Sequence, residues 1–290
     1  MQVKYRLDAL TSLRFFAAAI IVLTHTHSYG LFGFDKDQPL PIECGQAVSF
    51  FFVLSGFILA YIYPKLQTWP EIMHFWRARI ARIWPGLLAS FILTFWLLSY
   101  SWDYTNGLPN LLMVNAWIPY PYYFFSYNWL TWSVSVEFFF YLAFPFIIYH
   151  WEKTWLVKLL FSGIIVALTI LVSNILELPS YVDLRDDYIS STALLYIHPV
   201  TRIFEFILGI CVASYWRRQV VHTQWSETRA TLYEIGVILL AVSSMHFISP
   251  MATTWAGSAG SAWLTSSGSM VAFGLLIYVM AMGKGRINTW

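Results

Sequence analysis

Apolar residues gather along this chain into eight runs of about twenty, near residues 10-28, 46-64, 84-102, 130-149, 155-173, 198-216, 230-248 and 262-283, with short polar segments between them. An α-helix rises about 1.5 Å per residue, so about twenty residues cross the roughly 30 Å hydrocarbon core of a bilayer. The pattern predicts an all-α fold: a polytopic transmembrane helical bundle of about eight spans, filling residues 1-290 as a single integral-membrane domain. The stretch 107-118 is too short to span and is expected to be an interfacial or re-entrant piece. No soluble domain, low-complexity tract or internal repeat interrupts the series.

The polar segments alternate in charge. Lys4, Arg6 and Arg14 precede or open the first span; Lys65, Arg77, Arg79 and Arg82 follow the second, and Lys153 and Lys158 the fourth. Arg217, Arg218 and Arg229 follow the sixth, and Lys284 and Arg286 the eighth. The intervening loops hold Asp35, Asp37, Glu43, Asp103, Glu177, Asp183, Asp186 and Asp187, with Lys36, Arg185 and Arg202 as the basic residues on that side. Basic loops stay cytoplasmic, so both chain ends are expected there. The positive amino terminus resembles a signal peptide, but Arg14 interrupts its apolar run and no small-residue cleavage site follows, so the segment is expected to remain as a helix.

Composition agrees with a lipid solvent: 58% of residues are hydrophobic and 11% are charged, against about 45–50% and about 25% in soluble domains. The net charge of +2 is then a sidedness signal, and without a basic stripe interleaved with exposed aromatics it gives no nucleic-acid footprint. Cys44 falls in an outer loop and Cys211 in the cytoplasmic half of the sixth span, too far apart to bridge. No His pair has metal-ligand spacing, and no metal site is expected.

Candidate chemistry lies in the ionisable residues inside spans, each of which costs at least about 2.5 kcal/mol near the bilayer centre. Arg14 and His25 are eleven residues apart, which on a helix is three turns with a residual of roughly 20° and an axial separation of about 16 Å. They share a face, as a snorkelling Arg and a water-facing His or as two points on one functional line. Glu137 lies at a matching depth in the fourth span with Ser133 one turn earlier on the same face. A carboxylate beside an imidazole fixes its tautomer and raises its basicity, the arrangement that general-base chemistry uses; the alternative is a structural hydrogen bond between helices.

PEIMHFWRARIARIWP, residues 70-85, reads as an amphipathic segment in the interface, with Ile72, Phe75, Trp76, Ile80 and Ile83 on one face. Arg79 falls on that apolar side and Arg82 about 60° away, so two guanidiniums aim at the bundle mouth. A following helix opening near Pro85 would add its positive dipole end to a phosphate clamp; the alternative is an anchor to lipid head groups. Arg202 and Glu205, at i and i+3, most simply form an intrahelical ion pair. Glu234 is placed near the cytoplasmic end of the seventh span, within reach of water.

In this order the segments resemble the integral-membrane acyltransferase 3 family: Arg14 and His25 with ten residues between, SFFFVLSGF at 49-57, RARIARIWP at 77-85, WSVSVEFFFYLAFP at 132-145 and RIFEFILG at 202-209. The resemblance implies transfer of an acyl group, usually acetyl, from cytoplasmic acyl-CoA to a hydroxyl of a carbohydrate or glycolipid acceptor, by a multi-pass protein of the bacterial cytoplasmic membrane with no permanently bound cofactor. It assigns catalysis to Arg14 and His25, donor binding to Arg79 and Arg82, and to Glu137 the acidic position of a Trp-Ser-x-x-x-Glu segment near the acceptor. Ser133, Arg202 and Glu205 remain as acceptor or structural residues. Two departures stand out: Val48 and Ser49 replace the Val-Asp of many members, and eight spans replace the usual ten, as truncation of a carboxyl-terminal pair would leave. On this reading the thioester passes along the first span to His25, which, oriented by Glu137, deprotonates the acceptor hydroxyl. An acyl-enzyme on His25 is the competing route. The outer loops 103-129 and 174-199, rich in Tyr, Trp and Asp, suit sugar contact. The rival class is a glycan or lipid transporter or flippase whose path the same residues line.

Overall fold

The structure, a computed structural model, describes residues 7–27, 44–98, 101–180, 188–255 and 257–289. Those described residues form helices and no strands: α1 (Asp8–His27), α2 (Ala47–Ile62), α3 (Trp69–Leu98), α4 (Tyr104–Leu111), α5 (Pro121–Phe124), α6 (Thr131–Ile148), α7 (Trp151–Ile175), α8 (Pro199–Gln219), α9 (Glu227–Trp255), α10 (Gly257–Ser267) and α11 (Met270–Met282). Seven segments are long and apolar enough to cross a membrane, and α2, with 16 residues, is a shorter apolar helix. Each matches one of the eight runs. The stretch 107-118 folds into the end of α4 and a 3₁₀ turn, Asn115–Trp117. Lys4, Arg6, residues 35–37, Glu43, Asp183 and residues 185–187, on which the charge alternation partly rests, lie outside the described residues, as does the side chain of Cys44. Cys211 is a free, half-buried thiol.

The polarity of α7 is inverted relative to a soluble helix. Phe161, Ile164, Leu168, Leu171 and Ile175 are exposed, whereas Ser162 and Ser173 are buried. In water such a stripe would drive association. In lipid it costs nothing, because hydrocarbon tails solvate it, and helix contacts rest on packing and hydrogen bonds instead.

Two compact units make up the chain: Met1–Ile62, Leu208–Gly257 and Leu264–Trp290 form one, and Tyr63–Ile207 with Ser258–Trp263 the other. The boundary falls inside α8.

In the first unit α2 packs on α1 and α11, and α11 on α9. Phe50 meets the Phe273 ring edge-on at 5.7 Å, and Trp216 meets Phe57 and Tyr61 at 6.0 and 5.6 Å. A Cβ on Gly209 would stand 1.9 Å from the Val53 carbonyl oxygen, so the α2 and α8 backbones touch where only glycine fits. Arg217 closes the same contact by donating from Nη2 to the Ala60 and Tyr61 carbonyls at 2.8 and 3.2 Å. A cation there satisfies the orphan acceptors at the α2 carboxyl end. Beyond α11, Gly283 turns the chain at φ 62°, and residues 285–288 return over Glu234.

In the second unit α3 and α6 run antiparallel. Trp76 Nε1 donates to the Tyr141 carbonyl at 3.0 Å, while Phe91 and Phe95 pack on Tyr127 at 5.1 and 5.0 Å. α8 lies alongside α6 in the same direction: Trp132 meets Tyr196 at 4.8 Å just before α8, and Phe140 stacks on Phe206 at 4.7 Å. A π-helical turn, Ala193–Ile197, leads into α8. α6 and α7 meet through Tyr149 and His150, the latter left-handed at φ 49°.

Candidate functional site

The two registers of the second unit fix heights along its helices. With Trp76 opposite Tyr141 and Phe75 beside Phe144 on antiparallel helices, Arg79 stands level with Glu137 to within about a turn, and Arg82 about one turn further along α3. On the parallel pair, Phe140 and Phe144 both pack on Phe206 and bring Arg202 to about the same level. Three helices thus present their ionisable groups in one layer. The sequence placed the Arg pair at the cytoplasmic mouth and Glu137 with His25 in the outer half. Within this unit, Glu137 and Arg79 share a height instead.

Tyr141 joins the layer together. Its buried hydroxyl donates to Glu137 Oε1 at 2.5 Å. Sequence reasoning missed Tyr141, although it lies one turn after Glu137 on the face already marked by Ser133; inside FFFYLAFP it passes as another aromatic. Ser133 itself turns back on its own helix, donating to the Leu130 carbonyl at 3.0 Å.

The two arginines differ. Arg79 is half-buried, its guanidinium 5.7 Å from the Tyr63 ring centre and 5.9 Å from that of Phe75, and its buried Nε has no hydrogen-bond partner among the described residues. Arg82 is exposed. The expected helix start at Pro85 does not exist: α3 is unbroken from Trp69 to Leu98. Its positive end lies at Trp69, about 15 Å before Arg79, and contributes nothing there. A proline inside a spanning helix forfeits one bond, here to the Ala81 carbonyl, and membrane helices tolerate that loss.

Arg202 Nη1 meets Glu205 Oε1 at 3.1 Å with both residues 1% exposed. The guanidinium also lies 5.4 Å from the Tyr196 ring centre. Such a pair repays its desolvation only with good geometry and further partners, which the aromatic neighbour helps to supply.

Next to this layer, the segment 103–131 forms a polar cap. Asn110 Nδ2 donates to the Ser126 carbonyl at 3.0 Å and reaches Thr131 Oγ1 at 3.2 Å; Asn115 Nδ2 reaches the same hydroxyl at 3.4 Å. Both amide oxygens are buried without a partner among the described residues, a pattern that calls for a water or other donor. Asp103 caps α4 by accepting from the Thr105 amide at 2.8 Å and from the Tyr122 hydroxyl. The Tyr122 and Thr105 bonds hold its carboxyl below the ordinary range, and the same bond pushes Tyr122 up to about 12.

In the first unit, Arg14 is half-buried and His25 exposed on α1. His25 and Glu137, paired in the sequence reading, belong to different units. The 3₁₀ turn Cys44–Gln46 packs on α1; from it, Gln46, fully buried, accepts from the Ser269 amide at 3.0 Å and leaves Nε2 without a partner among the described residues. Ser49, where many of the resembling proteins carry Asp, is fully buried. Glu234 does not reach water as expected: it is 1% exposed and accepts from the Gly285 and Ile287 amides at 3.1 Å each and from Asn288 Nδ2 at 3.0 Å. The returning chain end supplies those donors.

Among the described residues no group of three or more His, Cys, Asp or Glu could hold a metal ion. A family model described as an acyltransferase domain matches residues 7–290. The acyltransferase MdmB of Streptomyces mycarofaciens is 34% identical over 155 residues, which cover 48% of this chain and 38% of that protein. No solved structure matches. With the family's pattern running through nearly every helix of both units, this chain belongs to the acyltransferase 3 family.

Proposed function

We propose that this membrane acyltransferase moves an acyl group, in the first instance acetyl, from cytoplasmic acyl-CoA to a hydroxyl of a cell-surface polysaccharide or glycolipid precursor. Its setting is the bacterial cytoplasmic membrane, with both chain ends on the cytoplasmic side. The observation that carries the donor assignment is Arg79: a half-buried guanidinium held by two rings, with its Nε donor unused among the described residues. A planar fork of this kind binds phosphate oxygens bidentately, and CoA supplies them. Arg82, exposed a turn away, adds charge to the approach.

In this reading His25 takes the proton of the acceptor hydroxyl while that oxygen attacks the thioester carbonyl. A C–O bond forms, the tetrahedral intermediate collapses with cleavage of the C–S bond, and the CoA thiolate leaves to be protonated. Arg14 lies on the same face of α1 and guides the donor. Glu137, held by Tyr141, serves the acceptor.

The test is CoA release by purified protein given acetyl-CoA and candidate glycans. His25→Ala should lower turnover by about 100-fold or more, the usual worth of a general base. Arg79→Ala should chiefly raise the KM for acyl-CoA. Equal turnover in all three proteins overturns the assignment, and acceptor crossing the membrane without CoA release replaces it with a transporter.

A further inference from the structure

The first unit contains a half-open cavity of about 950 Å³ between α1, α2, α9 and α11. That volume lies at the upper end of the roughly 300–1,000 Å³ of small-molecule sites. Its walls are almost wholly apolar, among them Phe16, Ile20, Met245 and Phe273, while Asp8, Ser12 and Asn288 gather its polar groups at one end. We infer that this groove is a lipid site that takes one acyl chain of a membrane phospholipid, with the head group at the Asp8, Ser12 and Asn288 end.

Three observations carry the inference. The first is polarity: hydrogen-bonding groups at one end and hydrocarbon along the remainder match a lipid from head to tail. The second is length. From Asp8 to Ile20 the α1 wall extends about 18 Å, close to the roughly 15 Å that one leaflet contributes to a 30 Å core. The third is direction. At about 100° per residue, Leu13, Phe16, Ala17 and Ile20 point on average roughly 120° away from the line of Arg14 and His25. The groove therefore lies behind the helix that carries the proposed chemistry, and its occupant is not the reacting acyl group. A chain seated there wedges α1 against α9 and α11, so lipid composition acts on the placement of Arg14 and His25.

The experiment uses the unaltered protein in vesicles containing phosphatidylethanolamine with a photoreactive diazirine in one acyl chain. After irradiation, adducts are expected on Ile20, Met245 and Phe273. Adducts confined to outward residues such as Leu232 and Leu239 overturn the site. Native mass spectrometry supplies the second arm: wild type and the outward control Leu232→Trp retain about one phospholipid through detergent. Ala17→Trp and Ala241→Trp fill the groove, and retention falls about tenfold as the methylene contacts are lost. Equal retention in all four proteins refutes the inference, as does a groove closed by a second copy, seen as a dimer that the filling variants dissociate.

Discussion

The Tyr141 hydroxyl donates a 2.5 Å hydrogen bond to Glu137 Oε1, one helical turn back on α6. Removing it with Tyr141→Phe keeps the ring packed against Phe75 and leaves the Trp76 bond untouched, because that bond ends on the backbone carbonyl. A hydrogen bond to a charged group contributes about 1.5–3 kcal/mol, so acyl transfer should fall about 10- to 100-fold. In a Glu137→Gln background the same change should cost little more, since the two residues act as one unit. Additive losses in steady-state turnover would separate them.

The contrast between Arg79 and Arg82 predicts unequal responses to lysine. Arg79→Lys keeps the charge but loses the flat face that rests on Tyr63 and Phe75. The KM for acyl-CoA should rise about tenfold, from the lost fork and from a cation–π contact of about 0.5–1 kcal/mol. Arg82→Lys, at an exposed position, should change it by less than about threefold. Initial rates over a range of acyl-CoA concentrations distinguish the two.

Glu234 and Gly285 fasten the chain end to α9. A Cβ on Gly285 would lie 2.2 Å from Glu234 Oε2, so Gly285→Ala forces the strap outward at a cost of about 1–3 kcal/mol. Glu234→Gln replaces one acceptor oxygen with a donor facing other donors and should cost about 1.5–3 kcal/mol. Because both changes break one attachment, the double variant should be destabilised by less than the sum, as read from thermal melting in detergent.

The Asp103–Tyr122 bond gives the polar cap a pH window. The Asp103 pKa is lowered on folding, so its contribution is present above the unfolded carboxylate value and is lost as pH falls through the lowered one. Tyr122 is raised to about 12, so its contribution is full below the ordinary tyrosine value of about 10 and is lost as pH climbs through 12. Asp103→Asn should return the Tyr122 titration toward 10 in ultraviolet spectra. An unchanged curve would assign the shift to something other than the carboxylate.

The spans were legible because lipid imposes a coarse, one-dimensional rule: about twenty apolar residues per crossing. The limits of that rule show in α3. Hydropathy sees its apolar half, and Pro85 imitates a helix start, yet the Arg-bearing turns before it belong to the same rigid rod. The common height of Arg79, Glu137 and Arg202 depends on interhelical register, which side-chain packing sets and no single-helix periodicity encodes. Glu234 was misread for a related reason: its partners lie about fifty residues further along the chain. Arg14 and His25 needed only the geometry of one helix, and their shared face was readable from spacing.

Gly209 and Val53 touch through their backbones, and they belong to two of the segments that carried the family resemblance, RIFEFILG and SFFFVLSGF. Those two signatures are therefore the halves of a single mechanical joint. Their pairing registers how closely two rods must cross before any substrate arrives. A variant library aimed at changing the acceptor can leave both segments alone, and a designer transplanting either one into another scaffold must carry the other with it.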